Sequence, residues 1–302
     1  MRRLGSRTVG LLRSPEHSDG ESAQEHGDCA VPVPLSRVGT ERTIVWVFQR
    51  GGLLEGGNDG GAVRVGGTVR RAVRRWTGTV HALLRHLEAK RFEGAPRVLG
   101  IDSEGREVLS YLEGETLGDR LVWPEWTRTE EALHQVAWWL RDYHEAVADF
   151  VPPPDAVWRT GARWSPGMVI AHNDASTFNA AWSAGRLVGF FDWDFAGPTT
   201  VQSDLAWMAL GWVPLHARRV AESEGFTDFA ARPKRLRIFL DAYGWTGEIE
   251  PIVAEIGARM SARAREIRRF GVGGEDLYRR LLSQGVADDM DQAVRELAEL
   301  RL

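Results

Sequence analysis

The chain has 302 residues, of which 43% are apolar and 26% charged, so it can bury a substantial hydrophobic core. Its net charge of −4 gives no general attraction to nucleic acids or anionic lipids, and no apolar stretch has the roughly 20 residues of a membrane-spanning helix. The single cysteine, Cys29, cannot form an internal disulfide. We expect a cytoplasmic protein without nucleic-acid or membrane partners, and the sequence leaves its oligomeric state open.

The N-terminal part divides into two regions. Residues 1–45 have little periodicity and are rich in Ser, Gly, Pro and charge, which predicts a poorly ordered extension. Short β-like runs then follow in TIVWVFQ, AVRVGGTVRR and PRVLGIDSEGREVLSYL. Between the last two runs, residues 79–91 place apolar side chains at helical spacing. We therefore predict a small β-rich lobe over residues 46–112.

Helical patterns dominate from residue 113 to the end of the chain. The segment EEALHQVAWWLRDYHEAVADF has apolar side chains on one stripe and predicts a long amphipathic helix. Two or three more helices are expected between Ser203 and Leu302. Two apolar runs, in GMVIAHND and RLVGFFDWD, each end in polar residues and predict buried strands that bring two polar loops to one place.

The first of these loops carries the pattern H-x-D-x-x-x-x-N, formed by His172, Asp174 and Asn179. In kinases, the Asp of this pattern accepts the proton of the substrate hydroxyl and the Asn binds magnesium. Asp192 follows the second apolar run, thirteen positions after Asn179. One carboxylate and one amide oxygen are hard ligands of the kind that Mg²⁺ takes when it also binds phosphates. The order of these residues indicates phosphoryl transfer.

The motifs HNDASTFN, FFDWDFAGP and SDLAW together resemble the aminoglycoside phosphotransferase family, which is related to choline kinases. The resemblance implies an α+β, protein-kinase-like fold of two lobes, the smaller β-rich and the larger mostly helical. It implies that Asp174 is the catalytic base and that Asn179 and Asp192 bind Mg²⁺. His172 would be structural, and Asp204 would be a buried acceptor that steadies the catalytic loop.

The small lobe resembles the nucleotide-binding half of the same family. The stretch GGNDGGAVRVGGTVRR is similar to the loop that covers the nucleotide, where glycines let backbone amides approach phosphates. The stretch REVLSYLEGE is similar to the hinge between the lobes, where backbone groups of Ser110 and Leu112 would contact the purine. The resemblance therefore implies ATP or GTP as co-substrate.

The sequence departs from the kinase pattern at the phosphate-binding lysine. Only two of the 38 basic residues are lysines, Lys90 and Lys234, and neither lies in the expected strand. Arg70 is the favoured substitute and Arg71 the alternative, because adjacent strand residues point to opposite faces. The following helix offers Val80 and His81 where the family has a glutamate partner for the lysine.

Three functions are consistent with these patterns. The first is a kinase that transfers the γ-phosphoryl group of ATP or GTP to a hydroxyl of a small molecule, with aminoglycoside-like antibiotics and amino alcohols as candidate acceptors. The second is a catalytically weak pseudokinase or immunity-type ligand-binding protein of the same fold, indicated by the missing lysine and glutamate. The third is a DNA-binding protein, suggested by the basic runs ARPKRLR and RAREIRR and disfavoured by the net negative charge.

Overall fold

Residues 62–117, 122–273 and 276–301 are described by the structure, a computed structural model, and they belong to one unit of the chain, residues 42–302. The predicted N-terminal extension, the predicted strand TIVWVFQ and the first half of the glycine-rich stretch lie outside the described residues. The second half of that stretch is a hairpin of β1, Val63–Val65, and β2, Thr68–Ala72. Its two strands turn at a Gly-Gly pair within what the sequence presented as one run.

Four antiparallel strands make the small sheet, in the order β1-β2-β4-β3, with β3 at Val98–Ile101 and β4 at Arg106–Ser110. Helix α1, Thr77–Ala89, packs its apolar stripe into the core that the sheet and the helical part share. The helix predicted over residues 79–91 and the strands predicted in PRVLGIDSEGREVLSYL are confirmed. In the register of β2 and β4, Arg71 lies opposite Glu107, so these two side chains share one face.

The segment that follows β4 is hydrogen bonded to a second hairpin, formed by β6, Ala180–Ser183, and β7, Arg186–Phe190. Glu115 and Trp182 exchange two backbone hydrogen bonds, at 2.6 and 2.8 Å. The chain therefore leaves β4 along a fixed path and enters the helical part beside this hairpin.

The helical part is built around α2, Glu130–Val147, whose start is capped by the Thr129 side chain accepting from the Ala132 amide at 3.1 Å. The predicted stripe of this helix is buried. Strand β5, Val169–Ala171, pairs with β8, Gly197–Thr199. The two predicted buried strands, β5 and β7, are present, each paired with a different neighbour.

The C-terminal region has more helices than the two or three expected, and left-handed glycines at positions 225, 244 and 285 lie at three of the breaks between them. The described part contains six there: α3 Val201–Trp212, α4 Arg218–Ser223, α5 Arg232–Tyr243, α6 Glu250–Val272, α7 Asp276–Ser283 and α8 Val286–Ala298. Within the described ranges, none of the helices is both long enough and apolar enough to cross a bilayer.

The basic run in α5 is partly buried, although such runs usually form exposed helix faces. Arg232 donates to the His216 carbonyl at 2.7 Å and lies 3.2 Å from the Glu296 carboxylate. Arg235 donates to the carbonyl of Arg128 at 2.9 Å. These two guanidiniums tie α5 to its neighbours inside the molecule.

A close contact between two backbone segments generates a stability prediction. A Cβ built on Gly189 would lie 2.4 Å from the Gly94 carbonyl oxygen, which already accepts from Trp139 Nε1 and from the Phe190 amide. Gly189→Ala should therefore lower the free energy of unfolding by about 2 kcal/mol, because backbone must move to admit the methyl group. Urea denaturation followed by circular dichroism measures this. Gly257→Ala in α6, where an added Cβ would meet no atom within 4 Å beyond its own helix backbone, should be neutral or stabilising. Equal losses in both variants would contradict the argument.

Candidate active site

The predicted catalytic loop follows β5 and ends in a single 3₁₀ turn, Thr177–Asn179. Asn179 Nδ2 donates to the backbone carbonyl of Asp174 and to its carboxylate, both at 2.9 Å. Both side chains are buried. Since the nitrogen of the amide is committed to Asp174, the oxygen of Asn179 is the atom left for a cation.

His172 joins this loop to the loop after β7. Its Nε2 donates to the Phe191 carbonyl at 3.1 Å, and its Nδ1 accepts from the Asp174 amide at 3.2 Å. Burial lowers the pKa of His172 to about 4, so the imidazole is neutral near pH 7. A neutral ring bonded at both nitrogens orients backbone, in line with the structural role expected for this residue.

Asp192 lies at the end of β7, in a left-handed backbone conformation with φ 61° and ψ 66°. This conformation costs a non-glycine residue about 1 kcal/mol or more and is concentrated at functional sites. The neighbouring Phe191 amide donates to the Asn179 carbonyl at 2.9 Å. The two predicted magnesium ligands, Asn179 and Asp192, therefore lie on backbone segments that are hydrogen bonded to each other.

The electrostatics of these carboxylates fit a divalent cation. Burial raises the pKa of Asp174 well above its ordinary value, and the nearby Asp192 carboxylate raises it further. Burial also raises the pKa of Asp192, against the opposing effect of Arg71. A cation bound beside the two carboxylates would relieve this repulsion, and a carboxylate with an amide oxygen is a donor set suited to Mg²⁺.

Of the two adjacent arginines, Arg71, the alternative in the sequence prediction, is the one that reaches the loop after β7. Its Nη1 lies 3.1 Å from Asp192 and its Nη2 lies 2.7 Å from Asp194. Arg70, the favoured substitute for the lysine, points to the other face of β2 and lies 3.6 Å from Asp102. The preference for Arg70 is corrected on this geometry, because alternation along a strand admits only one of the two to the site.

Two further charged residues at the site were not singled out from the sequence. Glu107 on β4 lies 2.7 Å from Arg71 Nε and is buried. Arg159 lies 3.6 Å from Asp194, with its guanidinium over the ring of Phe195. The alternation of REVLS places Glu107 on the same face as the apolar Leu109, a signal that could have revealed it; the segment around Arg159 has no comparable pattern.

Ser110 and Leu112 lie at the end of β4 and just beyond it, where the connection between the sheet and the helices begins. The Ser110 amide donates to the Arg97 carbonyl at 2.9 Å, so a purine contact at this residue cannot use that N–H. Their role at the nucleotide base stays a prediction.

Asp204 is buried, as the resemblance implies, and its carboxylate is hydrogen bonded to helix α2. Its carboxylate accepts from His144 Nε2 on α2 at 2.9 Å, and His144 Nδ1 lies 2.9 Å from the Tyr243 hydroxyl. The predicted role of Asp204 in steadying the catalytic loop stays a prediction, because the hydrogen bond of its carboxylate goes to α2. Trp212 holds the loop from outside, since its Nε1 donates to the Ala175 carbonyl at 2.9 Å. The Tyr143 hydroxyl donates to the Ile170 carbonyl in β5, the strand that leads into the loop.

Comparisons with known proteins found a family model, a relative of known sequence and solved structures that this chain resembles. The model of the phosphotransferase enzyme family APH matches residues 54–239. A trifolitoxin immunity protein of Rhizobium leguminosarum bv. trifolii is 39% identical over 197 residues, 63% of this chain and 73% of that protein. A spectinomycin phosphotransferase in complex with ADP and spectinomycin is 10% identical over 77% of this chain and 86% of its own, with a TM-score of 0.50.

A choline/ethanolamine kinase family protein of Mesorhizobium loti is 15% identical over 79% of this chain and 85% of its own, with a TM-score of 0.47. The comparisons and the element order confirm the expected fold class, a kinase-like α+β fold with a small sheet and a larger helical part.

The low pKa of His172 generates a prediction for stability against pH. The unfolded histidine has a pKa near 6.5, so the unfolded chain binds more protons than the native protein between about pH 6.5 and 4, and the contribution to stability is lost as pH falls through that window. The difference in unfolding free energy between the wild type and His172→Gln should shift towards the variant by up to about 1 kcal/mol per pH unit between pH 6 and 5. Urea titrations at pH 7, 6 and 5 measure this; a pH-independent difference would contradict it.

Proposed function

Since the chain belongs to the phosphotransferase enzyme family APH, we propose that it transfers the γ-phosphoryl group of ATP or GTP to a hydroxyl group of a small molecule. The observation that carries the proposal is the convergence of Asp174, Asn179 and Asp192 on two loops that hydrogen bond to each other. A reaction that consumes a nucleoside triphosphate also fits the cytoplasmic location expected from the sequence.

Asp174 is the base in this proposal. Its carboxylate orients the acceptor hydroxyl and takes its proton as the hydroxyl oxygen attacks the γ-phosphorus and the bond to the β-phosphate oxygen breaks. Asn179 fixes the carboxylate by donating to one of its oxygens. The base is therefore positioned before the acceptor arrives, which lowers the entropic part of the barrier.

The charged groups around Asp174 are assigned to the nucleotide. Asn179 and Asp192 would hold Mg²⁺, which supplies neutralisation of charge on the β- and γ-phosphates. Arg71 is assigned to the phosphates, because a guanidinium binds phosphate oxygens in a bidentate manner. Its two terminal nitrogens are ion-paired with Asp192 and Asp194.

The second candidate is a catalytically weak protein that binds its ligand without turnover. Two observations favour it: the 39% identity to a protein named for immunity to trifolitoxin, and the ion pair between Arg71 and Asp192, which competes with a metal for the same carboxylate. Nucleotide binding and phosphoryl transfer therefore need separate tests.

Nucleotide binding should depend on Mg²⁺ and on Asp192. At about 100 times its dissociation constant, ATP or GTP with Mg²⁺ should stabilise the protein by about 2.7 kcal/mol and raise its melting temperature by about 5 °C. Asp192→Ala should abolish the Mg²⁺-dependent part, because it removes a metal ligand. Differential scanning fluorimetry measures both, with Asp102→Asn as the control. Absence of a shift with either nucleotide in the wild type would exclude the kinase proposal.

Phosphoryl transfer should depend on Asp174 far more than nucleotide binding does. Asp174→Asn keeps the shape of the side chain and loses the base, so transfer should fall by about 10²- to 10⁴-fold while the thermal shift with nucleotide persists. Release of ADP or GDP in the presence of a panel of aminoglycosides and amino alcohols is the assay. If the wild type binds nucleotide and phosphorylates none of a broad set of hydroxylated acceptors, the binding-only function is the better assignment.

A further inference from the structure

Of the two residues of α1 near the position where the kinase-like family has the glutamate partner of its lysine, Val80 packs into the core and His81 bonds to a carboxylate. Strand β2 has Arg71 in place of the lysine. We propose that the two exchanges are linked: the carboxylate has moved from the helix to β4 as Glu107, and Glu107 together with His81 positions Arg71 for the nucleotide phosphates. This inference rests on the proposed function, because it assigns the residues that prepare its phosphate-binding group.

Glu107 bridges the helix and the strand with its two carboxylate oxygens. Oε2 accepts from His81 Nε2 at 2.8 Å, and Oε1 lies 2.7 Å from Arg71 Nε. The carboxylate is 1% exposed, and His81 is also buried. A buried carboxylate is costly unless it is paired and hydrogen bonded, so its placement against these two partners indicates a specific role.

Strand register fixes the pair. Arg71 and Glu107 are direct cross-strand partners in β2 and β4, which brings their Cβ atoms to about 5 Å on one face of the sheet. His81 is held by the buried stripe of α1 and supplies the remaining hydrogen bond. His81 therefore orients the Glu107 carboxylate from α1, as a helix glutamate would orient a lysine. It does so without adding a second negative charge.

The pair determines which atoms of Arg71 face the site. Glu107 holds the guanidinium at Nε, and the two terminal nitrogens reach Asp192 and Asp194. These are the nitrogens that would exchange carboxylate oxygens for phosphate oxygens. A guanidinium fixed at Nε loses less rotational freedom on binding than one on an unrestrained side chain.

The contact between Arg71 and Glu107 is a close ion pair and not a well-aligned hydrogen bond. Its strength therefore depends on the charge of the carboxylate more than on its hydrogen-bonding atoms. Glutamine keeps the size and the acceptor oxygen and removes the charge, which makes Glu107→Gln the discriminating substitution. His81→Gln keeps a hydrogen-bond donor at this position of α1 but changes the distance from that donor to the Glu107 carboxylate.

The test is the dissociation constant of ATP and GTP with Mg²⁺, measured by calorimetry, with the melting temperature of each variant without ligand as the check on folding. Glu107→Gln should weaken nucleotide binding about tenfold and His81→Gln about threefold. Two controls match them: Asp102→Asn, a carboxylate paired with Arg70 and Arg106, and His86→Gln, on α1 and bonded to the Ala146 carbonyl. Both controls should bind nucleotide within twofold of the wild type.

A second variant tests whether nucleotide affinity is restored when the carboxylate is placed back on helix α1. The double variant His81→Glu with Glu107→Gln returns a negative charge beside residue 107, where the new glutamate can accept from the glutamine, and its affinity should recover to within about threefold of the wild type. If the double variant does not recover nucleotide affinity, the proposed exchange is wrong. It is also wrong if Glu107→Gln binds nucleotide as tightly as the wild type, or if Asp102→Asn loses as much affinity as Glu107→Gln. If the wild type itself binds neither nucleotide, the proposed function fails and this inference fails with it; if it binds and Glu107→Gln binds equally, only this inference falls.

Discussion

The ion pairs of Arg71 are the interaction on which the site depends. One guanidinium on β2 contacts carboxylates on β4 and on the loop after β7, and so connects the small sheet to the segment that carries Asp192. Burial by itself lowers the pKa of Arg71, but the three carboxylates outweigh this effect and raise it. The cation therefore remains charged inside the site, and each of the three acids finds in it the partner that its burial requires.

A second constraint comes from aromatic side chains that end in a polar atom. The indole nitrogens of Trp139, Trp193 and Trp212 donate to backbone carbonyls of Gly94, Phe190 and Ala175, at 2.8 to 3.0 Å. Each ring fills the core while its N–H satisfies a carbonyl of a loop or strand end. Part of the tryptophan content of this chain thus holds irregular backbone near Asp174 and Asp192, where regular secondary structure supplies few hydrogen bonds.

The features that the sequence could predict are those encoded by local patterns. The apolar stripe of α2, the polar ends of β5 and β7 and the spacing of Asp174, Asn179 and Asp192 are all visible within short windows. The choice between Arg70 and Arg71 needed the direction of β2 relative to the core, which alternation alone leaves undetermined. Local alternation in REVLS marks Glu107 as facing the core, but its pairing with Arg71 depends on strand register. The pairing of Asp204 with His144 joins residues 60 positions apart, so neither partner could be read from a local pattern.

The use of arginine in place of lysine changes which reagents can modify the proposed nucleotide site. Acylating and aldehyde reagents modify amines, and a guanidinium offers them no comparable nucleophile at neutral pH. The two lysines of the chain lie in surface ion pairs, Lys90 with Asp149 and Lys234 with Glu130. Reagents that identify nucleotide-binding proteins by labelling a lysine beside the phosphates would therefore fail to label the proposed site of this protein, whether or not it binds nucleotide.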